Sequence, residues 1–206
     1  MKKVIFILVG ISMLFGSIAN GAEINTTPKV SKIKGIELIP TGYGLTKTHN
    51  KDYYLGRFSI DRSAIYRTPE DLIFIDAARR MEFKFVMDKN ISGKAFARKM
   101  AEAMKINNEV SALKDNMESI KLFKSFFKRK IKKGDVMRFD YHSDFGTRVY
   151  LNSRLLGEVA DSREFYRFVL STWLGDRPPS AQFKFGILGQ NGDEYAIKLQ
   201  QQYESL

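Results

Sequence analysis

Residues 134–189 constrain the fold more tightly than any other part of the chain. Met137, Phe139 and Tyr141 alternate with Val136, Arg138 and Asp140, a period of two that reads as a half-buried strand. Ser143-Asp144-Phe145-Gly146-Thr147 then supplies turn chemistry, with Gly146 free to take a positive φ. The chain returns over 148–151, turns again at Asn152-Ser153-Arg154, and makes a third strand over 155–159. Asp161, three residues before Glu164, marks a capped helix start. Phe165, Phe168, Val169, Thr172 and Trp173 follow at helical spacing, an apolar stripe with one hydroxyl. Gly175 stops that helix, Pro178-Pro179 forbids its continuation, and a short apolar helix then ends at Gly189.

The first half of the chain carries weaker signals. A strand begins over 35–38, Thr41-Gly42-Tyr43-Gly44 reads as a turn, 46–49 as a short strand and 52–60 as a third, aromatic-rich one. Thr68-Pro69-Glu70-Asp71 is a helix-start signal leading to a short helix over 72–78. Met81, Phe83, Phe85 and Met87 alternate with Arg80, Glu82, Lys84 and Val86, which predicts an antiparallel strand with its charges outward. Ser92-Gly93 opens a helix on which Phe96, Met100, Ala103 and Met104 share a face. Asn107-Asn108 breaks it, and a longer helix is predicted over 110–130. The tail after Gly189 is a turn and one more strand or helix. Strands with helices between and after them predict a single α+β domain over 35–206, an antiparallel sheet covered on one face by helices.

The chain opens with a basic end, an apolar run over 4–15 and small residues at Ala19-Asn20-Gly21-Ala22. That pattern predicts a secretory signal peptide over 1–22, and hence export to the periplasm or the medium. Residues 23–34 read as a polar, flexible lead-in. The 206 residues contain no cysteine, which excludes disulfide frameworks, thiolate zinc sites and a cysteine nucleophile. A formal net charge of +11 points to acidic lipid or a carboxylate ligand. Nucleic acid drops out as a partner for an exported chain. His49 and His142, the two histidines, have no metal-ligand spacing, so no metal site is expected. No phosphate loop or nucleophile elbow is present, and no cofactor is implied.

Taken with the element order, several segments resemble the chalcone isomerase superfamily, and more closely its secreted bacterial chalcone-isomerase-like branch. They are Gly134-Asp135, Gly146-Thr147, Thr172-Trp173-Leu174-Gly175-Asp176-Arg177-Pro178-Pro179-Ser180 and Ile187-Leu188-Gly189. The resemblance implies an open-faced β-sandwich, with a large antiparallel sheet, a layer of helices and a ligand cleft between them. In the plant enzymes of that superfamily an arginine, a strand threonine, a helical tyrosine and a later Ser/Thr cyclise chalcones. Carried onto this chain, the arginine position falls on Thr46 or Lys47, the strand threonine near Tyr53, the helical tyrosine on Phe96 and the later hydroxyl on Thr172. Only the last keeps its chemistry. Lysine is not the equal of a planar guanidinium, and phenylalanine cannot donate. A fatty-acid-binding branch holds a carboxylate with an arginine and a tyrosine, for which Arg57 with Tyr53 or Tyr54 are candidates.

The expected function is therefore a non-catalytic exported protein binding a small apolar or carboxylate ligand, fatty-acid-like, in the sheet–helix cleft. Two alternatives stand beside it. One is an intramolecular lyase or isomerase using Lys47, Tyr53 and Thr172. The other is an envelope interaction scaffold whose cleft is filled by Phe96 and neighbouring methionines. Thr172 also has a plain structural reading, as a threonine bonding back to its own helix carbonyl, and Trp173 reads as core. Lys121, Lys124, Lys128 and Arg129, interleaved with Phe123, Phe126 and Phe127, form either a helix face for anionic lipid or a solvated basic face over a buried aromatic stripe.

Overall fold

The computed structural model describes residues 29–160 and 163–206. The leader expected over 1–22, the lead-in as far as residue 28 and the cap expected at Asp161 lie outside them. In chain order the strands are β1 (Ser31–Ile33), β2 (Ile36–Thr48), β3 (Lys51–Asp61), β4 (Arg79–Phe85), β5 (Ile91–Ser92), β6 (Lys130–Ile131), β7 (Val136–His142), β8 (Gly146–Leu151) and β9 (Arg154–Val159). The α-helices are α1 (Gly93–Ile106), α2 (Val110–Asp115), α3 (Met117–Ser125), α4 (Arg163–Leu174), α5 (Ala181–Ile187) and α6 (Asp193–Glu204). Seven strands make one antiparallel sheet in the order β1-β2-β3-β4-β7-β8-β9, and β5 pairs with β6 alone.

The hairpins close where the backbone demands left-handed residues. His49 and Asn50 take φ of 51° and 60° between β2 and β3, Asn152 takes 57° between β8 and β9, and Gly146 takes 72° at the start of β8. These are the tight turns that suit the right-handed twist of paired strands. Met81, Phe83 and Phe85 of β4, with Phe139 of β7 and Val149 of β8, face Phe96 and Met100 of α1, Phe123 of α3, Phe165 and Trp173 of α4, and Phe183 of α5. The α+β expectation of a sheet with a helical layer holds in that core.

Four local expectations differ. Gly42-Tyr43-Gly44 is not a turn; β2 runs straight through it, with a bulge between Pro40 and Gly42. The glycines are there because α5 lies on the strand. A Cβ on Gly44 would sit 2.8 Å from the Phe183 carbonyl oxygen, and one on Gly42 2.7 Å from the Gly189 nitrogen. Glycine inside a strand often marks this kind of backbone approach. The helix expected over 72–78 is a 3-10 turn, Pro69–Ile73, because Arg79 takes the Leu72 and Ile73 carbonyls at 2.9 and 2.8 Å. The helix expected over 110–130 breaks at Asn116, whose side-chain amide donates to the Ala112 carbonyl at 3.0 Å, and it ends at Ser125. Lys128 and Arg129 therefore lie on the connection to β6. Finally, the described part of the lead-in is held: Ser31–Ile33 pairs with β2 as β1.

The charges of β4 do not face water. Helix α6, the tail that the sequence left undetermined, lies on the second face of the sheet, where Leu199 and Tyr203 pack on Tyr43 and Leu55. Beneath it Arg57 donates to Glu82 at 2.9 Å and to Glu204 at 3.2 Å, and the Tyr203 hydroxyl donates to Glu82. Arg80 forms a two-pronged pair with Asp140 at 2.7 and 2.8 Å. A period of two marks which side chains share a face, not whether a later helix will cover it.

Burial of phenols makes stability depend on alkaline pH. Burial pushes Tyr43, Tyr53 and Tyr141 up to about 12, and raises Tyr54, Tyr166 and Tyr203 as well. A phenol raised on folding keeps its proton after the unfolded chain has lost it. Its contribution is complete below about pH 10 and falls as pH climbs through the folded values. In a spectrophotometric titration these six should ionise together with loss of secondary structure.

Candidate ligand-binding site

The layer in which the sequence expects a cleft, where the sheet meets α1, α4 and α5, is filled by packed side chains. Thr46 and Tyr54 are cross-strand partners and so share a face. Tyr54 projects into the core, where its hydroxyl accepts from the Trp173 indole at 2.9 Å and ties the sheet wall to the helix wall. Burial raises the Tyr54 phenol pKa, so it stays a neutral hydroxyl. Aromatic rings crowd around it. Centroids of Tyr54 lie 4.9 Å from Phe83 and 5.6 Å from Phe183, Phe83 lies 4.5 Å from Trp173, and Phe85 lies 5.8 Å from Phe96.

One hydroxyl at this site has no hydrogen-bond partner: Thr172 is 4% exposed and its side-chain oxygen is unbonded. Thr46, 6% exposed, stands across the strand pair from Tyr54 and interacts with its phenol, outside good hydrogen-bond geometry. Thr172 does not bond back to its helix; its neighbour Ser171 does so instead, donating to the Phe168 carbonyl at 2.8 Å. Leaving a buried hydroxyl unmade costs about 1–3 kcal/mol.

The remaining sequence candidates are placed elsewhere. Alternation along β2 puts Lys47 on the face opposite Thr46, where its ammonium group lies 3.8 Å from Asp52 and its side chain is 58% exposed; the bulge between Thr46 and Lys47 leaves Tyr53 as the extra residue on β3. Arg57 is on the second face of the sheet under α6. Tyr53 is half-buried, 5.0 Å from Tyr54 and 6.1 Å from Phe85 between ring centroids. Phe96 is buried between Phe85 and Phe127. The structure thus brings Thr46, Phe96 and Thr172 into the sheet–helix layer, with Tyr53 at its margin, and leaves Lys47 and Arg57 outside. Tyr54, considered in sequence only beside Arg57, is the central polar residue; contiguous Tyr53-Tyr54-Leu55 hid which of them faces inward. None of the side chains gathered here carries a charge, so the set can orient a polar head by hydrogen bonds but cannot supply a base or a cation. Among the described residues no group of three or more acids and histidines is placed to hold a metal ion.

The sequence profile of the chalcone isomerase-like family matches residues 21–189. The chain belongs to that family. No curated protein sequence matches it. Among solved structures it is similar to the crystal structure of a fatty-acid binding protein from Arabidopsis thaliana, with a TM-score of 0.58 and 16% identity, covering 84% of this chain and 99% of that one. At that identity the likeness is one of fold. The sheet with its helical layer is therefore the chalcone isomerase-like architecture.

Proposed function

We propose that this chain is a non-catalytic member of the family. It holds a small apolar molecule with a carboxylate or carbonyl head, fatty-acid-like, in the sheet–helix cleft. The observation that carries the reading is the buried, unbonded hydroxyl of Thr172, next in α4 to the Trp173 that bonds Tyr54, in an otherwise apolar layer. A ligand oxygen accepting from Thr172 offsets the cost of burying that hydroxyl without a partner. Its tail takes the space of the Phe96 and Phe183 rings, which must swing aside. The Arabidopsis structure described as a fatty-acid binding protein supports the ligand class. Export by the leader over 1–22 is part of the same proposal, as is membership of the secreted bacterial branch.

Close ring packing around Tyr54 favours a second reading, an interaction scaffold whose cleft stays filled. Native mass spectrometry of delipidated protein with palmitate and with naringenin chalcone separates the two, run beside a cyclisation assay. The binding reading expects one palmitate bound and no flavanone formed, with Lys47→Ala unchanged in both. No retained palmitate would favour the scaffold. Flavanone production that falls in Lys47→Ala would restore an isomerase.

A further inference from the structure

We infer that the outer face of α2 and α3 docks on a bilayer containing anionic phospholipid. Helix α2 buries no residue in the protein. Between it, α1 and α3 opens a groove of about 420 Å³ with Val110, Leu113, Met117 and Ile120 as its floor and Lys105, Lys114, Lys121 and Lys124 around its rim. Val110 is 67% exposed and Met117 47%. Lysine stems cover apolar surface while their ammonium groups reach outward, the arrangement that suits an interface between acyl chains and phosphate headgroups. Lys121 is paired with Glu118 at 2.7 Å. Lys105, Lys114 and Lys124 make no ion pair among the described residues, so their charge is free for a partner.

Charge decides between a bilayer and a single free acid. The chain leaving α3 stays basic and exposed through Lys128, Arg129, Lys130 and Lys132. One carboxylate cannot use so many cations; a sheet of anionic headgroups can, at roughly fivefold in binding for each lysine close to the surface. The floor residues then reach the acyl boundary. The break at Asn116 lets α2 and α3 lie as two short segments along the same surface. This inference does not rest on the cleft reading.

The test is co-sedimentation of the full chain with vesicles of phosphatidylcholine alone and of equimolar phosphatidylcholine and phosphatidylglycerol. Any contribution of the apolar N-terminal run is common to all variants, so the comparison reads the groove. The mixed vesicles should bind the protein in a salt-sensitive way, and the surface double variant Lys114→Glu/Lys124→Glu should lose roughly twentyfold or more in affinity. Met117→Ser should weaken binding without changing the salt dependence. Equal affinity of the wild-type protein and the double variant for mixed vesicles would overturn the inference. So would loss of palmitate binding in the double variant with vesicle binding intact, which would make the groove a single-acid site. Palmitate binding unaffected by these substitutions leaves the cleft reading independent of the outcome.

Discussion

Glu82→Ala should cost about 3–5 kcal/mol, read as a lower midpoint in urea with an unchanged slope. Glu82 is the carboxylate between Arg57 at 2.9 Å and the Tyr203 hydroxyl, under α6. Burial alone would push the Arg57 guanidinium pKa down. Tyr203, Glu82, Tyr43 and Glu204 around it reverse that and hold it above its ordinary value. Removing Glu82 leaves a buried cation with Glu204, 3.2 Å away, as its remaining carboxylate. A domain stable by about 5–15 kcal/mol cannot spare much of that. The partner experiment is Arg57→Met with Glu82→Leu, which removes both charges and should recover most of the loss, since a buried pair is often replaceable by apolar residues of similar volume. A double variant as unstable as Glu82→Ala would mean the damage lies in packing against α6 rather than in a buried cation that has lost its nearer carboxylate.

Gly42→Ala is expected to be nearly as damaging, at about 3 kcal/mol, at the top of the overpacking range. The added methyl meets backbone, not a side chain that can rotate away: the Gly189 nitrogen is 2.7 Å from it and the Gly189 Cα 3.1 Å. Relief requires α5 to lift from β2, which also breaks the Thr41 hydroxyl's bond to the Ile187 carbonyl at 2.6 Å. Because α5 carries Phe183 against Tyr54, the same change should loosen the cleft and weaken palmitate binding. Gly192→Ala is the control. It opens α6 with ordinary φ of −61° and has nothing within 4 Å of the added methyl, so thermal unfolding should move by no more than about 0.5 kcal/mol.

The two glycines of β2 also show where the sequence stopped being informative. Glycine serves both a turn and a close backbone approach, and the second use is visible only once α5, more than a hundred residues later, is laid on the strand. By contrast the β7–β8–β9 hairpins were legible, because Gly146 and Asn152 are residue types that tolerate positive φ and stand between alternating runs. The site was half-legible for a related reason. Thr172 could be placed from its helical stripe. Whether Thr46 or Lys47 faces inward depends on the phase of β2, and a slip of one residue exchanges the two faces of a strand. Arg57 looked like a ligand anchor because nothing in the tail over 190–206 announced that α6 would supply Glu204 and Tyr203 to it.

Ligand entry beside Tyr54 is the event on which the proposed function turns. Trp173 is the chain's single tryptophan, and its indole donates to Tyr54 at the centre of the proposed site. Its emission during a palmitate titration of delipidated protein is therefore the most direct readout. Entry of the ligand between the sheet and α4 should give a saturable change in Trp173 emission with one-to-one stoichiometry. Palmitate that binds while the Trp173 spectrum stays fixed would place the ligand outside the cleft and contradict the account.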